Sequence, residues 1–406
     1  MYTSIIKQIE DKKNVLFHGP GGTGKTYTIR KLCKTFKNIR NIDVMAPTGK
    51  AAVVLELGAK TIHRTFGIKP LEQNIPIKEL EQMAIKCSKY KPKFDLLIMD
   101  EISMVGSQLL TLVDLILKNI HNNNLPMGGV QVIFSGDFYQ LPPVKDKWCF
   151  KADVWNLLDL QVIEFNIPKR YEDTYTFELL CRIRKNTLNP SDWEFLEQRK
   201  LAFENKEYKL LSVEPVILYA TNQKVDHYNQ KKLKKLPEKE HKFTSIDKFL
   251  PKNKCFVSNS VFEDLAPKIV SIKIGAKIMF TKNIDPDSCL VNGMMGVVED
   301  INGNFVNIKI ENGTNHTVSP CEFTYETKEF VYSRIQYPFK LSWAMTINKS
   351  QGSTLSAAIV QIDQIHNSGQ VYVALSRVKN LSNLFINGDV VKSLIRATSD
   401  LPENLS

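Results

Sequence analysis

Apolar positions fall along the chain in short unbroken runs that alternate with stretches of helical spacing. Val15 to His18 has strand character, Lys25 to Phe36 carries a helical pattern, and Ile42 to Ala46 is a second strand. The runs Asp95 to Met99 (DLLIM) and Val130 to Ser135 (VQVIFS) are two more of strand length. Between them, Ser107 to Ile120 spaces Leu109, Leu110, Leu112, Val113, Ile116, Leu117 and Ile120 so as to bury one helix face. Strand and helix in alternation predict an α/β fold. Residues 67–92, lysine-rich and holding Pro70, Pro76 and Pro92, do not suit a sheet core and read as an excursion from it.

A second α/β pattern opens after Pro168: Phe177 to Ile183 is helical, Val216 to Ala220 (VILYA) is a strand, and Val225 to Leu236 is a basic helix. From Cys255 to Val331 the pattern changes to short β-type runs broken by Gly and Asn: IVSIKIG, AKIMFT, MGVVED and NFVNIKI. These predict a small antiparallel barrel. The α/β pattern resumes after Pro338, with strands at Ala358 to Ile362 and Leu384 to Ile386. The expected organisation is one α/β domain over 1–165, containing the excursion 67–92, and a second over 166–254 and 337–406, interrupted by an insertion over 255–336.

Composition narrows the class without naming it. Apolar residues at 43% and charged residues at 24% are ordinary for a globular chain. No stretch approaches ~18 uninterrupted apolar residues, so neither a spanning helix nor a membrane partner is expected, and Met1 to Asp11 lacks a secretory-signal layout. The seven cysteines stand singly with no C-x-x-C pair, which points to an intracellular, reducing compartment without disulfides or structural zinc. A net charge of +11 suits a polyanionic partner, and equally a lysine-rich genome. Lys231, Lys232, Lys234 and Lys235 read as a solvated helix face, with a nuclear address as the other reading.

Three strand ends carry candidate chemistry. Gly19, Pro20, Gly21, Gly22, Thr23, Gly24, Lys25 and Thr26 fit G-x-x-x-x-G-K-[ST] and lie between a strand and a helix, as a phosphate-binding loop must. Glycines let backbone N–H groups close on a β-phosphate, aided by the positive end of the following helix. Lys25 would neutralise the β- and γ-phosphates and Thr26 would ligate Mg²⁺. Asp100 and Glu101 end the strand DLLIM, where parallel sheets bind ligands. Asp100 would hold Mg²⁺ through its water shell and Glu101 would polarise an attacking water. Gln140, in SGDFYQLPP, ends the next strand, and its neutral amide both donates and accepts, as a γ-phosphate or water sensor requires.

With these residues on view, the chain resembles superfamily-one DNA helicases of the Pif and RecD type, over nearly its whole length. GPGGTGKT is similar to helicase motif I, APTGKAA (Ala46 to Ala52) to motif Ia, and TIHRTFG (Thr61 to Gly67) to motif Ib. IMDEISM (Ile98 to Met104) resembles motif II and FSGDFYQLPPV (Phe134 to Val144) motif III. Arg170, in PKRYED, resembles the motif IV arginine. AMTINKSQGSTL (Ala344 to Leu355) and VYVALSRVKN (Val371 to Asn380) resemble motifs V and VI. The stretch ending in MGGVQ is closer to the Pif-type signature, and GAKIMFTKN and LVNGMMGVV resemble an SH3-like insertion of that branch.

The resemblance implies two RecA-like P-loop NTPase domains, a small wedge excursion in the first and an SH3-like β-barrel insertion in the second. It implies an ATP- and Mg²⁺-dependent DNA helicase moving 5′ to 3′ on single strands, in DNA replication, repair or recombination. A DNA-stimulated translocase that strips proteins or RNA from DNA without long unwinding is the alternative. Lys25, Glu101, Gln140, Arg170 and Arg377 would be catalytic, the two arginines reaching the γ-phosphate from the second domain, and Gly352 of motif V would join the nucleotide site. Pro47, Thr48, His63, Phe66, Thr346, Asn348, Lys349 and Ser350 would contact DNA, a set of short donors, a cation and rings that suits a sugar-phosphate track. Single-stranded and forked DNA are the expected partners, RNA–DNA hybrids further ones, for a monomeric motor at work in a nucleus or viral replication site. Two positions depart from the family. Tyr2 stands where an upstream glutamine usually reads adenine, and Asn348 replaces the usual motif V histidine.

Overall fold

The computed structural model describes all residues except 1, 56–57, 70, 90–92, 172, 252–265, 283, 286–289, 311–312, 327–329, 399–400, 403–404 and 406. Its two compact units are residues 1–220 with 347–406, and residues 221–346.

In the first unit, β1 (Val15–His18), β2 (Ile42–Ala46), β3 (Lys60–Thr61), β4 (Leu96–Met99), β5 (Gln131–Gly136) and β6 (Gln161–Glu164) form one sheet in the order β3-β2-β4-β5-β1-β6. Every pairing is parallel; Val15, for example, stands opposite Ile133 on one side and Gln161 on the other. The inner strands β1, β4 and β5 are buried along their whole length, which is why they read as unbroken apolar runs. Alternate residues feed two cores. Leu16, Met45, Leu97, Met99, Val132 and Phe134 pack on one face, with Leu110, Val113 and Leu117 from the helix Ser107–His121. Val15, Phe17, Val44, Leu96, Ile98 and Ile133 pack on the other, with Ile29 and Leu32 from the helix Lys25–Phe36. Each such side chain contributes about 1.5–3 kcal/mol of burial, enough to hold the strand ends, and the loops they carry, in fixed register.

A second parallel sheet in the same unit is built by Val216–Tyr219, Ala358–Gln361 and Leu384–Asn387, with Ala358–Gln361 between the other two. Its helices have specific starts. Asp173 accepts from the Thr176 N–H (2.6 Å) at the head of Thr174–Lys185, and Asn189 with Asp192 forms a capping box at the head of Pro190–Glu204. Asp192 also takes both ends of the Arg182 guanidinium, at 2.7 and 2.8 Å. The excursion is a helix, Ile77–Ser88, that buries Leu80 and Ala84 in the core beside Ser107–His121. Pro70 and Pro92 lie outside the described residues.

The second unit is antiparallel throughout its described ladders. Five strands run in the order Asn315–Val318, Phe305–Ile310, Met295–Asn302, Lys277–Phe280, Phe339–Leu341, with a bulge between Val298 and Asp300. His241–Thr244 pairs with Ile269–Ile272, and Phe330–Gln336 lies between Cys321–Glu326 and Ile246–Pro251. This unit is wider than residues 255–336. Phe339 pairs opposite Phe280, and Tyr337 and Trp343 share its core, so residues just past 336 belong to it. The basic helix Asn222–Lys235 belongs as well: Leu233 enters that core, and Asn229 bonds the carbonyls of Leu341 and Ala344 at 3.1 Å and accepts from the Ala344 N–H at 2.8 Å. Residue 255 lies outside the described residues. No helix among the described residues is long and apolar enough to cross a membrane.

Candidate active site

The sheet order places the carboxyl ends of β4, β5 and β1 side by side, which collects three distant segments in one crevice. The loop after β1 turns through Gly19, Gly22 and Gly24 at φ of 149°, 83° and 92°. Space as well as angle demands glycine there. A Cβ on Gly19 would lie 2.2 Å from the Phe165 carbonyl oxygen, and one on Gly22 would lie 2.8 Å from the Arg170 Cβ. The loop is further held by Thr23, whose hydroxyl donates to the Pro20 carbonyl (2.8 Å), and by Lys169 and Arg170, whose N–H groups donate to the Gly22 carbonyl. Lys25 Nζ donates to the carbonyls of Gly19 (2.7 Å) and Pro20 (2.8 Å). Burial pulls the lysine pKa down, against the nearby Asp137, Glu101 and Asp100.

Asp100 is a buried hub. One carboxylate oxygen accepts from the Thr26 hydroxyl (2.8 Å), and the other from the Ser135 hydroxyl (2.7 Å) and the Glu101 N–H (3.0 Å). Glu101 has a left-handed backbone, φ 53° and ψ 42°, a conformation that costs a non-glycine residue free energy. Burial, then the neighbouring Asp100 charge, push its carboxyl up to about 7, opposed by Lys25 and Arg377. A carboxylate tuned to that range is a general base at neutral pH.

Asp137, at the end of β5, is fully buried. It accepts from Arg184 Nε (2.9 Å) and from the Tyr372 hydroxyl (2.9 Å), so groups on both sheets of the unit meet on one carboxylate. Although burial alone would raise its pKa, Arg184, Lys25 and His18 together hold it below the ordinary carboxylate value. Arg184 also lies 4.0 Å over the Tyr139 ring. His18 Nε2 is 3.4 Å from the same guanidinium, and burial takes its pKa down to about 4, so it is neutral at pH 7. Gln140 is buried with its Oε1 unpartnered, and its Nε2 stands 3.5 Å from Asp137. A buried amide oxygen without a partner is a place for a ligand donor.

Arg377 is 3% exposed. It is held by the carbonyls of Val373 (2.7 Å), Ser350 and Ser353 and by the Ser376 hydroxyl (2.7 Å). Burial, then the charge of Arg170, lowers its pKa. Arg170 itself is half-buried against the phosphate loop. Gly352 lies on an exposed turn at φ 72° with open space around it.

The expected nucleic-acid residues divide. Pro47, Thr48, His63 and Asn348 are half-buried and Lys349 is exposed. Thr48 Oγ1 accepts from the Ala51 N–H (3.2 Å), and burial lowers the His63 pKa. Phe66 is a correction: at 1% exposure it packs with Ile62 and Leu80 in the first core, so its ring is not available to stack on a base. Ser350 is another. It is fully buried and its hydroxyl donates to the Ile347 carbonyl (2.7 Å), which closes a helical turn. Thr346, in the second unit, is 6% exposed.

His18, Ser135, Asp137, Arg184, Tyr372 and Gln351, whose Nε2 is buried and unpartnered, were not singled out from the residues alone. Asp137, Gln351 and Tyr372 lie inside segments flagged for other residues. Arg184 carried no local signal: its meaning comes from a carboxylate 47 positions away.

A phosphate loop and acidic pair on one parallel sheet, joined to arginines packed on a second, define a P-loop motor NTPase with two sheets. The family model described as PIF1-like helicase matches residues 1–159, and that described as DNA helicase Pif1, 2B domain, matches residues 258–301. The ATP-dependent DNA helicase Pif1 of Bdellovibrio bacteriovorus is 29% identical, over 97% of this chain and 88% of that protein. The crystal structure of Pif1 helicase from Candida albicans superposes with a TM-score of 0.81 at 28% identity, covering 98% of this chain and 95% of that one. Pif1 helicase from Bacteroides in complex with ADP-AlF3 and ssDNA does so with a TM-score of 0.78 at 27% identity, covering 99% and 94%. The chain spans 62%, 60% and 59% of the length of the relatives from Danio rerio, Xenopus laevis and Homo sapiens. The two models and these relatives together place the chain in the Pif-type branch of superfamily one.

Proposed function

We propose that the chain hydrolyses ATP in the crevice between its two parallel sheets and uses that cycle to move 5′ to 3′ along single-stranded DNA, opening duplexes at forks. One observation carries the reading: half-buried Glu101 from the first sheet and buried Arg377 from the second are close enough for each charge to act on the other. A base and a cation supplied by different sheets make hydrolysis conditional on their approach, and that condition is what turns an NTPase into a motor.

In this reading the loop amides and Lys25 receive the β- and γ-phosphates, Glu101 takes the proton of the attacking water, and Gln140 orients that water with its unpartnered oxygen. Arg170 and Arg377 stabilise the charge that develops on the γ-phosphoryl group, an effect worth ~10³–10⁵ in rate in related NTPases. The Thr26 hydroxyl and Asp100 carboxylate, 2.8 Å apart, are hard oxygen donors of the kind Mg²⁺ takes. Bound there, the ion would neutralise charge on the phosphate oxygens. Asn348 and Lys349, with Pro47, Thr48 and His63, supply the strand contacts. The helix Ile77–Ser88 is read as the wedge and the antiparallel unit as the SH3-like insertion.

Unwinding of 5′-tailed and 3′-tailed duplexes, measured beside ssDNA-stimulated ATPase, tests this reading. The 5′-tailed substrate is expected to open and the 3′-tailed one to stay paired. Preference for the 3′ tail would overturn the polarity, and stimulated ATPase with no strand separation would leave a translocase.

A further inference from the structure

The Tyr372 hydroxyl lies where two sheets and the phosphate loop meet. It donates to Asp137 at 2.9 Å and accepts from the N–H of Gly21, in the loop, at 3.3 Å. It has no freedom to turn elsewhere. The side chain is 3% exposed, and its acceptor Asp137 is clamped by Arg184, whose guanidinium lies 4.0 Å over the Tyr139 ring and 3.4 Å from His18 Nε2. The helix Gln370–Leu375 that carries Tyr372 is seated hard on the turn that holds Gln140. A Cβ on Gly369 would lie 2.7 Å from the Gln140 carbonyl oxygen and 2.8 Å from that of Tyr139.

Loop amides of this kind point at phosphate oxygens, yet Gly21 takes its partner from the second sheet. The direction of that amide therefore follows the position of the second sheet. We propose that Tyr372 is a positioning residue, through which the second sheet sets the shape of the phosphate loop, with Asp137 and Arg184 as its anchor. The inference rests on the reading that ATP is hydrolysed at this loop. It assigns Tyr372 no contact with substrate. Lys25 and the other loop amides bind nucleotide whether or not the hydroxyl is present, so its loss acts on turnover and not on binding.

Tyr372→Phe keeps the ring packing and removes both hydrogen bonds. Under saturating ssDNA its kcat is expected to fall on the order of tenfold, with KM for ATP and the affinity for fluorescent mant-ADP staying within about threefold of wild type. Arg184→Lys, which keeps a cation on Asp137 but removes the fixed guanidinium geometry, should shift the stimulated rate in the same direction and serves if Tyr372→Phe does not melt cooperatively. An unchanged stimulated kcat in the variants overturns the inference. So does loss of mant-ADP binding in step with kcat, which would make the hydroxyl part of the loop's own fold. If wild type itself shows no ssDNA-stimulated ATPase, the proposed function fails instead.

Discussion

Replacing Glu101 with Gln separates what this carboxyl does for chemistry from what it costs the fold. Its pKa is raised from 4.5 to about 7 by burial and by Asp100. The neutral form is thus favoured in the folded chain, and the stabilisation is present at low pH and lost as pH rises from 4.5 through 7. At pH 8 the folded chain holds an ionised carboxyl that it disfavours by about 3 kcal/mol, at 1.36 kcal/mol per pH unit. Gln, the stand-in for the neutral acid, escapes this. With an unfolding entropy of roughly 2.1 cal/mol/K per residue, the first unit should then melt about 5 °C higher in Glu101→Gln than in wild type at pH 8. The gap should shrink steadily toward pH 5. The same variant should lose about 10²–10⁴ in ssDNA-stimulated kcat, since the base is gone. Wild-type kcat/KM should fall as pH drops below 7. Calorimetric melting across pH 5 to 8, paired with a phosphate-release assay, reads both effects. A melting gap that is flat in pH would refute the burial argument, and wild-type turnover by the variant would remove Glu101 from the base's role.

Lys25→Ala should abolish turnover while salt-sensitive ssDNA binding, followed by fluorescence anisotropy, stays within about threefold, because the lysine bonds carbonyls of its own loop and lies near Asp137, Glu101 and Asp100. Loss of both together would indicate unfolding instead. Lys349→Ala should weaken ssDNA binding and reduce the slope of log affinity against log salt by roughly 0.7, whereas Ser350→Ala, altering a buried turn, should leave that slope unchanged. Equal slopes for Lys349→Ala and wild type would remove Lys349 from the strand contacts.

What could be read along the chain was whatever is local. The phosphate loop is contiguous, and the strands that flank it are buried on both faces, so they announce themselves as apolar runs with chemistry at their ends. Asp100 and Glu101 were legible for the same reason. Pairings between distant residues were not. Nothing near Arg184 marks it as the partner of Asp137, and Tyr372 meets that carboxylate across 235 positions. Burial inside a motif was also hidden: Phe66 and Ser350 lie in segments that resemble strand-binding motifs, yet one fills a core and the other closes a turn. The reach of the second unit was not legible either, because a basic helix and a strand that follows Pro338 join its core only through long-range contacts, at Leu233 and Phe339.

The position of β1, paired on both sides by β5 and β6, has a mechanical meaning. A strand at the rim of a sheet can swing or peel, but one flanked by two parallel neighbours is stiff along both directions of the plane. The phosphate grip is therefore mounted on an interior strand and not on the rim of its sheet, like the fixed jaw of a vice. Strain generated when the γ-phosphate forms or departs finds little give behind the loop, and is directed toward the elements that press on it from the front.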